Sequence, residues 1–537
     1  MATQVRERPW WREAVFYQIY PLSFSDSDGD GYGDLAGISQ RLDYLRNVLG
    51  VDALWLSPFY RSPMRDWGYD VSDHCDVDPV FGDLETAASF IEECHEIGLR
   101  VIVDYVMNHT SNEHPWFQES RSSRDNPKRD WYVWGDGKGD APPNNWVSVF
   151  SGPAWSFDEE TGQWYRHTYL AHQPDLNWRN PELVEAMLDV ARFWLDIGVD
   201  GFRVDAAHQM MKDPANRDNP PAPPDYPRPW KDMGPYDEFI HLYDFGHPDV
   251  HDAHRLFRSV LDSYEGNRLS VGEIHIFDLP EWASYYGEDF DQLHMPFNFH
   301  LMASEWNVPS LRAIIESVLW NVPPGGWTNW TLGNHDESRL ASRISKGHER
   351  LAGLLLLSLR GTPFLYYGDE LGMEDTPMPD GMTRDPWGQR VEALSRDASR
   401  TPMQWDTGDH AGFCPPEATP WLPVSAVAPV VNVEAQLLDP DSILNMYRRL
   451  LDLRRDSSAL RIGSFLAHPA STEEVFAYRR ESDDETMTIV LNLSDSPQTL
   501  SMRRGQVAFS TVDPHRADRV KSGLLVEPLE GVIVSHA

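Results

Sequence analysis

Gly201-Phe202-Arg203-Val204-Asp205 is a short apolar run that ends on an acid. The pattern recurs in Val271-Gly272-Glu273-Ile274 and in Gly333-Asn334-His335-Asp336, each preceded by mostly apolar residues. Such runs, spaced by helical stretches, read as buried parallel strands. A fourth acid, Asp70 in Gly68-Tyr69-Asp70-Val71, is read as another strand end. Eight strand candidates follow: residues 14–24, 51–60, 100–106, 201–206, 268–275, 290–297, 327–336 and 361–368. Between them, segments such as 84–97 and 181–197 carry apolar residues at three- and four-residue spacing. Eight alternating units predict an α/β chain folded as a (β/α)8 barrel. Chemistry in such a barrel sits where strands end, so acids distant in sequence converge. Paired acids suit cleavage of a glycosidic bond, which needs one acid and one nucleophile or base.

The alternation breaks in three places. Residues 108–175 are rich in Trp, Asp, Gly, Asn and Pro without helical period, and read as a small domain inserted after the third strand. Residues 211–236 hold Pro214, Pro220, Pro221, Pro223, Pro224, Pro227, Pro229 and Pro235, which excludes a helix interior. We expect a long loop after the fourth strand, on the face of the acids, serving as a lid or binding loop. From residue 456 short alternating stretches predict an all-β C-terminal domain. The expected division is 1–107 and 176–455 for the barrel, 108–175 for the insertion and 456–537 for the β domain.

Composition narrows the function. A chain of 537 residues is too long for one core, and its 41% apolar content suffices to bury a sizeable one. The net charge of −38 argues against nucleic acid or an anionic membrane as partner and favours a small neutral or cationic ligand. It keeps the surface solvated; adaptation to salt is the sharper alternative. The N-terminal residues lack an apolar signal region, and the longest apolar run, 351–359, is closed by Arg360. With only Cys75, Cys94 and Cys414 available, a disulfide framework is not expected and a cytoplasmic location is. The glycosylation sequons at Asn108 and Asn492 are accordingly read as chance. We expect a monomer or small homo-oligomer.

Arg203 lies two residues before Asp205, and strand alternation points both to one side. A neighbouring arginine should lower the Asp205 pKa, whereas burial among acids should raise that of Glu273. Alone, an Arg-x-Asp is more often a structural ion pair; several acids at strand ends, in order, are harder to explain so. These residues also carry a resemblance. Asp104-Tyr105-Val106-Met107-Asn108-His109, Gly201 to Asp205, Gly272-Glu273 and Asn334-His335-Asp336 resemble, in order, the motifs of the α-amylase family, glycoside hydrolase family 13. Gln173-Pro174-Asp175-Leu176-Asn177 is similar to a marker of its oligo-1,6-glucosidase and α-glucosidase branch. The resemblance implies Asp205 as nucleophile, Glu273 as general acid/base and Asp336 as transition-state stabiliser. It implies that Tyr69, Asp70, His109, Arg203, His335 and Arg400 hold a terminal glucose. The activity so implied is a retaining, exo-acting α-glucosidase cleaving α-1,4 bonds of short substrates such as maltose, with transglucosylation. The alternatives are a glucosyl transferase or isomerase acting on sucrose or maltose, and an oligo-1,6-glucosidase. Ala206 follows the nucleophile where α-1,6-preferring members tend to carry Val, which favours the α-1,4 expectation. Met210 and Met211, at the start of the proline loop, are weaker candidates for substrate contact.

Asp26-Ser27-Asp28-Gly29-Asp30-Gly31-Tyr32-Gly33-Asp34 places carboxylates at alternate positions around a glycine turn, like the start of a calcium loop. Gly37 at the twelfth position excludes an EF-hand. The branch carries a similar loop, which implies one structural divalent cation, Ca2+ or else Mg2+, on Asp26, Asp28, Asp30, the Tyr32 carbonyl and Asp34. An acidic turn without metal is the plain alternative. The many tryptophans are expected mainly in the core.

Overall fold

A computed structural model describes residues 8–228 and 231–536, so Pro229, within the expected loop, lies outside the described residues. Each of the eight apolar runs forms a strand: β1 Phe16–Ile19, β2 Ala53–Leu56, β3 Arg100–Val106, β4 Gly201–Asp205, β5 Leu269–Gly272, β6 Met295–Pro296, β7 Asn329–Thr331 and β8 Thr362–Tyr366. They make one parallel sheet in the order β6-β5-β4-β3-β2-β1-β8-β7, nearly closed into a barrel. All residues of β1, β2, β4 and β5 are buried. Burial on both faces is why these strands read as continuous apolar runs rather than alternating ones.

β6 and β7 meet without a ladder among the described residues. Side-chain amides join them instead. Asn329 Nδ2 donates to the Pro296 carbonyl at 2.8 Å, and Asn329 Oδ1 accepts the Asn298 N–H at 2.8 Å.

The barrel interior is filled by Phe16, Ala53, Trp55, Ile102, Leu269, Val271, Met295, Phe297 and Phe364. A larger core lies between the strands and the surrounding helices. The helix Pro181–Ile197 shows how the sequence sets these helices. Asn180 caps the Glu182 and Leu183 N–H groups, Pro181 fits the first turn, and Gly198 ends the helix at φ 127°. Its Leu183, Met187, Ala191 and Trp194 face the strands as the spacing predicts.

Between β3 and that helix lie the helix Pro115–Ser122 and a three-stranded antiparallel sheet of Trp134–Gly135, Gln163–Arg166 and Trp155–Asp158. After β4 the described residues of the proline-rich segment form no α-helix, only the 3-10 turn Gly234–Glu238. The C-terminal strands, from Ser464–Ala467 to Gly531–His536, are all antiparallel in a six-stranded sheet and a separate pair. No helix among the described residues is long and apolar enough to cross a membrane.

One strand-end assignment is corrected. β2 ends at Leu56, and Tyr69 and Asp70 lie in a turn between the short strands Tyr60–Arg61 and Asp73–Val77. The apolar spacing before them was too short to tell a strand from a loop.

Candidate active site

Arg203 organises the acids. Its side chain is 1% exposed on β4, and its two terminal nitrogens face three carboxylates. Nη1 lies 2.5 Å from Asp104 Oδ1 on β3 and 2.8 Å from Asp205 Oδ1, while Nη2 lies 2.9 Å from Glu273 Oε2, just beyond β5. The alternation that places Arg203 and Asp205 on one side of β4 is thus observed. Glu273 is further fixed by the Ala206 N–H, 2.7 Å from Oε2, and by His275 Nε2, 2.8 Å from Oε1. Ala206 makes that bond from a left-handed conformation, φ 45°.

The charges differ from the sequence expectation. Burial first, then Glu273, raise Asp205 well above the usual carboxylate range despite Arg203. Burial alone would raise Glu273, but Arg203 and His275 outweigh it and hold it down. Both acids share one guanidinium and titrate as a pair. Glu273 has the additional donors Ala206 N–H and His275, which favour its carboxylate.

After β7, Asp336 faces Arg396 Nη1 at 3.1 Å and Arg400 Nη2 at 3.0 Å. Burial would raise it, yet it lies well below the ordinary range. His335 is itself driven down to about 3 by burial and is therefore neutral at physiological pH. The two arginines, not the imidazole, keep Asp336 ionised. His335 stacks on the Tyr69 ring, centroids 5.3 Å apart and planes within 3°. Tyr69 Oη lies 2.6 Å from His335 Nε2 and 3.2 Å from Asp104 Oδ2. His109 Nε2 lies 3.1 Å from the Tyr69 carbonyl and 3.2 Å from Gln173 Nε2. Burial lowers its pKa to about 4, so it is neutral.

The structure thus gathers Asp205, Glu273, Asp336, Arg203, Tyr69, His109, His335 and Arg400. It does not bring Asp70 into the group. The Asp70 oxygens accept from Ser62 Oγ and the N–H groups of Arg65 and Asp66, at 2.9 to 3.1 Å, and so hold the turn itself. The acid that joins the cluster is Asp66, which accepts from Arg396 Nη2 at 2.8 Å and Gln173 Nε2 at 2.9 Å. Sequence reading missed Asp66 and Arg396. The signals available were proximity alone: Asp66 precedes Tyr69 by three residues and Arg396 precedes Arg400 by four. Met210 and Met211 are buried in the main core.

Three loops close over this cluster. Phe150 and Leu170 of the segment after β3, Met233 of the proline-rich loop, and Trp387 and Leu394 of the loop after β8 pack together. Lys231 Nζ lies 2.5 Å from Glu337 Oε1 and 3.3 Å from the Asp336 carbonyl.

The acidic loop lies between β1 and the helix Leu35–Ser39. It brings carboxylate oxygens of Asp26, Asp28 and Asp34 within 4.8 Å of one another, a donor set that fits a hard divalent cation. Asp30 is not in that group; its Oδ1 accepts the Tyr32 N–H at 2.8 Å. Gly31 has φ 93°, and a Cβ there would meet the Thr419 carbonyl at 2.0 Å, so the turn demands glycine.

The chain is similar to known proteins over nearly its whole length. A family model for the alpha amylase catalytic domain matches residues 18–463. A probable alpha-glucosidase of Rhizobium meliloti (strain 1021) is 42% identical over 512 residues, 93% of this chain and 92% of that one. An oligo-1,6-glucosidase of Parageobacillus thermoglucosidasius is 36% identical over 96% of this chain and 97% of its own. Among solved structures, an alpha-glucosyl transfer enzyme superposes with TM-score 0.91 at 39% identity, over 99% of this chain and 100% of the other. A trehalulose synthase variant superposes with TM-score 0.89 at 32% identity, over 98% and 100%.

Proposed function

We propose that this chain, a member of the alpha-amylase family, is a retaining, exo-acting α-glucosidase that removes terminal α-1,4-linked glucose from short substrates such as maltose. The coarser statement, a glucosidase or glucosyl transferase of that family, follows from the relatives it matches. One observation carries the mechanism. Asp205 and Glu273 sit on the two terminal nitrogens of one guanidinium, which holds at one centre the two acids that a nucleophile and an acid/base require.

Asp205 attacks the anomeric carbon while the glycosidic bond breaks and Glu273 gives its proton to the leaving oxygen. Water then attacks the same carbon, Glu273 takes its proton and Asp205 is released. Retention follows from two inversions. Asp205 and Glu273 share one guanidinium, and the reaction needs the proton of the pair on Glu273 when substrate is bound. Asp336, kept ionised by Arg396 and Arg400, stabilises the positive charge that develops on the sugar ring. Tyr69, Asp66, His109 and His335 surround the ring hydroxyls.

The loops packed through Phe150, Met233 and Trp387, with Lys231 reaching Glu337, support a closed pocket that admits short chains. A closed pocket also favours capture of the glucosyl-enzyme by a second sugar. The likeness to an alpha-glucosyl transfer enzyme favours transglucosylation as a second reading. A divalent ion, Ca2+ or Mg2+, held by Asp26, Asp28 and Asp34 would neutralise those acids and brace the loop after β1. The three unpaired cysteines support a cytoplasmic location. The deciding experiment is product analysis with maltose, isomaltose, sucrose and starch, with the anomer of released glucose followed by NMR. α-Glucose released first, and fastest from maltose, is expected. β-Glucose released first would exclude retention, and isomerised sucrose as main product would replace the hydrolase reading.

A further inference from the structure

The best-defined neighbour of the candidate acid/base with no role so far is His275. It lies two residues beyond Glu273, past the end of β5. Its Nε2 is 2.8 Å from Glu273 Oε1. Glu273 Oε2 is taken up by Arg203 Nη2 and the Ala206 N–H. The carboxyl group is therefore gripped at both oxygens, one from the barrel and one from His275. The ring is in turn held by stacking. His275 lies 4.5 Å from Phe299 with the planes within 6°, and Phe299 lies 5.0 Å from Phe297 with the planes within 12°. Phe297 belongs to the packed barrel interior, so its position passes through two parallel rings to the imidazole. The His275 side chain is 30% exposed while that of Glu273 is 9% exposed. Oε2 already accepts from two donors and Oε1 from His275 alone, so Oε1 is the oxygen freer to carry the proton.

We propose that His275 is a positioning residue for Glu273: it holds the carboxyl rotamer that presents Oε1 to the glycosidic oxygen, and yields that oxygen when substrate enters. The proposal rests on Glu273 being the acid/base. His275 acts on the substrate only through Glu273, and the Phe299 ring fixes it.

The test uses substrates that differ in their need for a proton. Maltose and phenyl α-glucoside have basic leaving oxygens and need the acid; α-glucosyl fluoride does not. General acid–base catalysis contributes about 10²–10⁴-fold, and mispositioning the acid should forfeit part of it. For His275→Ala, kcat/KM on maltose and phenyl α-glucoside should fall about tenfold or more, while the fluoride value changes less than about twofold. Azide, a nucleophile that needs no base, should capture the covalent glucosyl-enzyme by displacing Asp205, give α-glucosyl azide, and restore whatever kcat on the fluoride is lost through slow base-assisted attack of water. His275→Gln, which places an amide N–H where Nε2 stood, should recover most of the loss. An equal fall on all substrates, or none on maltose, would overturn the proposal. Glu273→Gln runs alongside. If it too shows no selective loss and no azide rescue, the assignment of Glu273 fails; if it shows both and His275→Ala neither, only the role of His275 fails.

Discussion

Removing Arg396 should destabilise the protein far more than loss of a surface charge. Its side chain is 6% exposed and ties three acids: Asp385 at 2.6 Å, Asp66 at 2.8 Å and Asp336 at 3.1 Å. Met in its place keeps the unbranched stem but removes the guanidinium, whose carbon lies 5.0 Å from the Phe150 ring centre and 5.9 Å from that of Trp387, and so leaves the acids without that cation. Breaking a buried pair from one side costs about 3 to 5 kcal/mol, against about 0.2 to 1 kcal/mol for an exposed pair. All three acids keep a partner: Asp336 retains Arg400, Asp66 retains Gln173 Nε2 at 2.9 Å, and Asp385 still accepts the residue 396 backbone N–H at 2.8 Å. We therefore place Arg396→Met at the low end, about 3 kcal/mol at neutral pH. The pH dependence has a definite sign. Burial would raise Asp385 and Asp336, but the arginines hold both low. Acids depressed in the folded state stabilise above their unfolded value of about 3.9, and that stability is lost as pH falls through the folded pKa. Without Arg396 their folded values rise, so the deficit should be full at about pH 7.5 and shrink as the orphaned acids take up protons on acidification. Urea midpoints of both proteins across this range measure it. A deficit below about 1 kcal/mol, or one that does not shrink in acid, would refute the buried-network reasoning.

Other outcomes follow from the site. Asp205→Asn, Glu273→Gln and Asp336→Asn should each abolish nearly all maltose turnover with unchanged circular dichroism; normal turnover by any of them removes its assigned role. Chelation should lower the melting temperature with little direct effect on chemistry, because the cation would bind only the folded loop. Unchanged stability together with no metal by elemental analysis would leave the loop an acidic turn. Ala206→Val should shift the kcat/KM ratio toward isomaltose by about 1 to 3 kcal/mol, since a branched side chain narrows the space beside the nucleophile. Because residue 206 has φ 45°, the same change should also cost about 1 to 3 kcal/mol of stability. An unchanged ratio sinks the linkage reading.

Much of the barrel was legible because parallel strands buried on both faces leave uninterrupted apolar runs, as in 100–106 and 201–206. Strand lengths were not: of residues 290–297 only Met295–Pro296 pair, since register depends on partners remote in sequence. Asp205, Glu273 and Asp336 stood out at strand ends. Asp70 misled because adjacency to Tyr69 says nothing about which way a turn side chain points, and the turn consumes its oxygens. Asp66 and Arg396 are 330 residues apart and acquire meaning only when the fold brings them together. The directions of the Asp205 and Glu273 shifts were expected in reverse because the Ala206 N–H and His275, which favour the Glu273 carboxylate, are tertiary contacts.

The amide bridge of Asn329 has a mechanical consequence. Everywhere else around the ring, neighbouring strands are joined by backbone ladders, but between β6 and β7 the circumference is completed by side-chain amides. Glu273 follows β5 and Asp336 follows β7, so the arc between them crosses this seam with only two-residue β6 intervening. Compliance of the ring is concentrated there. Small changes in girth would open or narrow the gap between acid/base and stabiliser while leaving Arg203, Asp104 and Asp205 on the laddered side undisturbed.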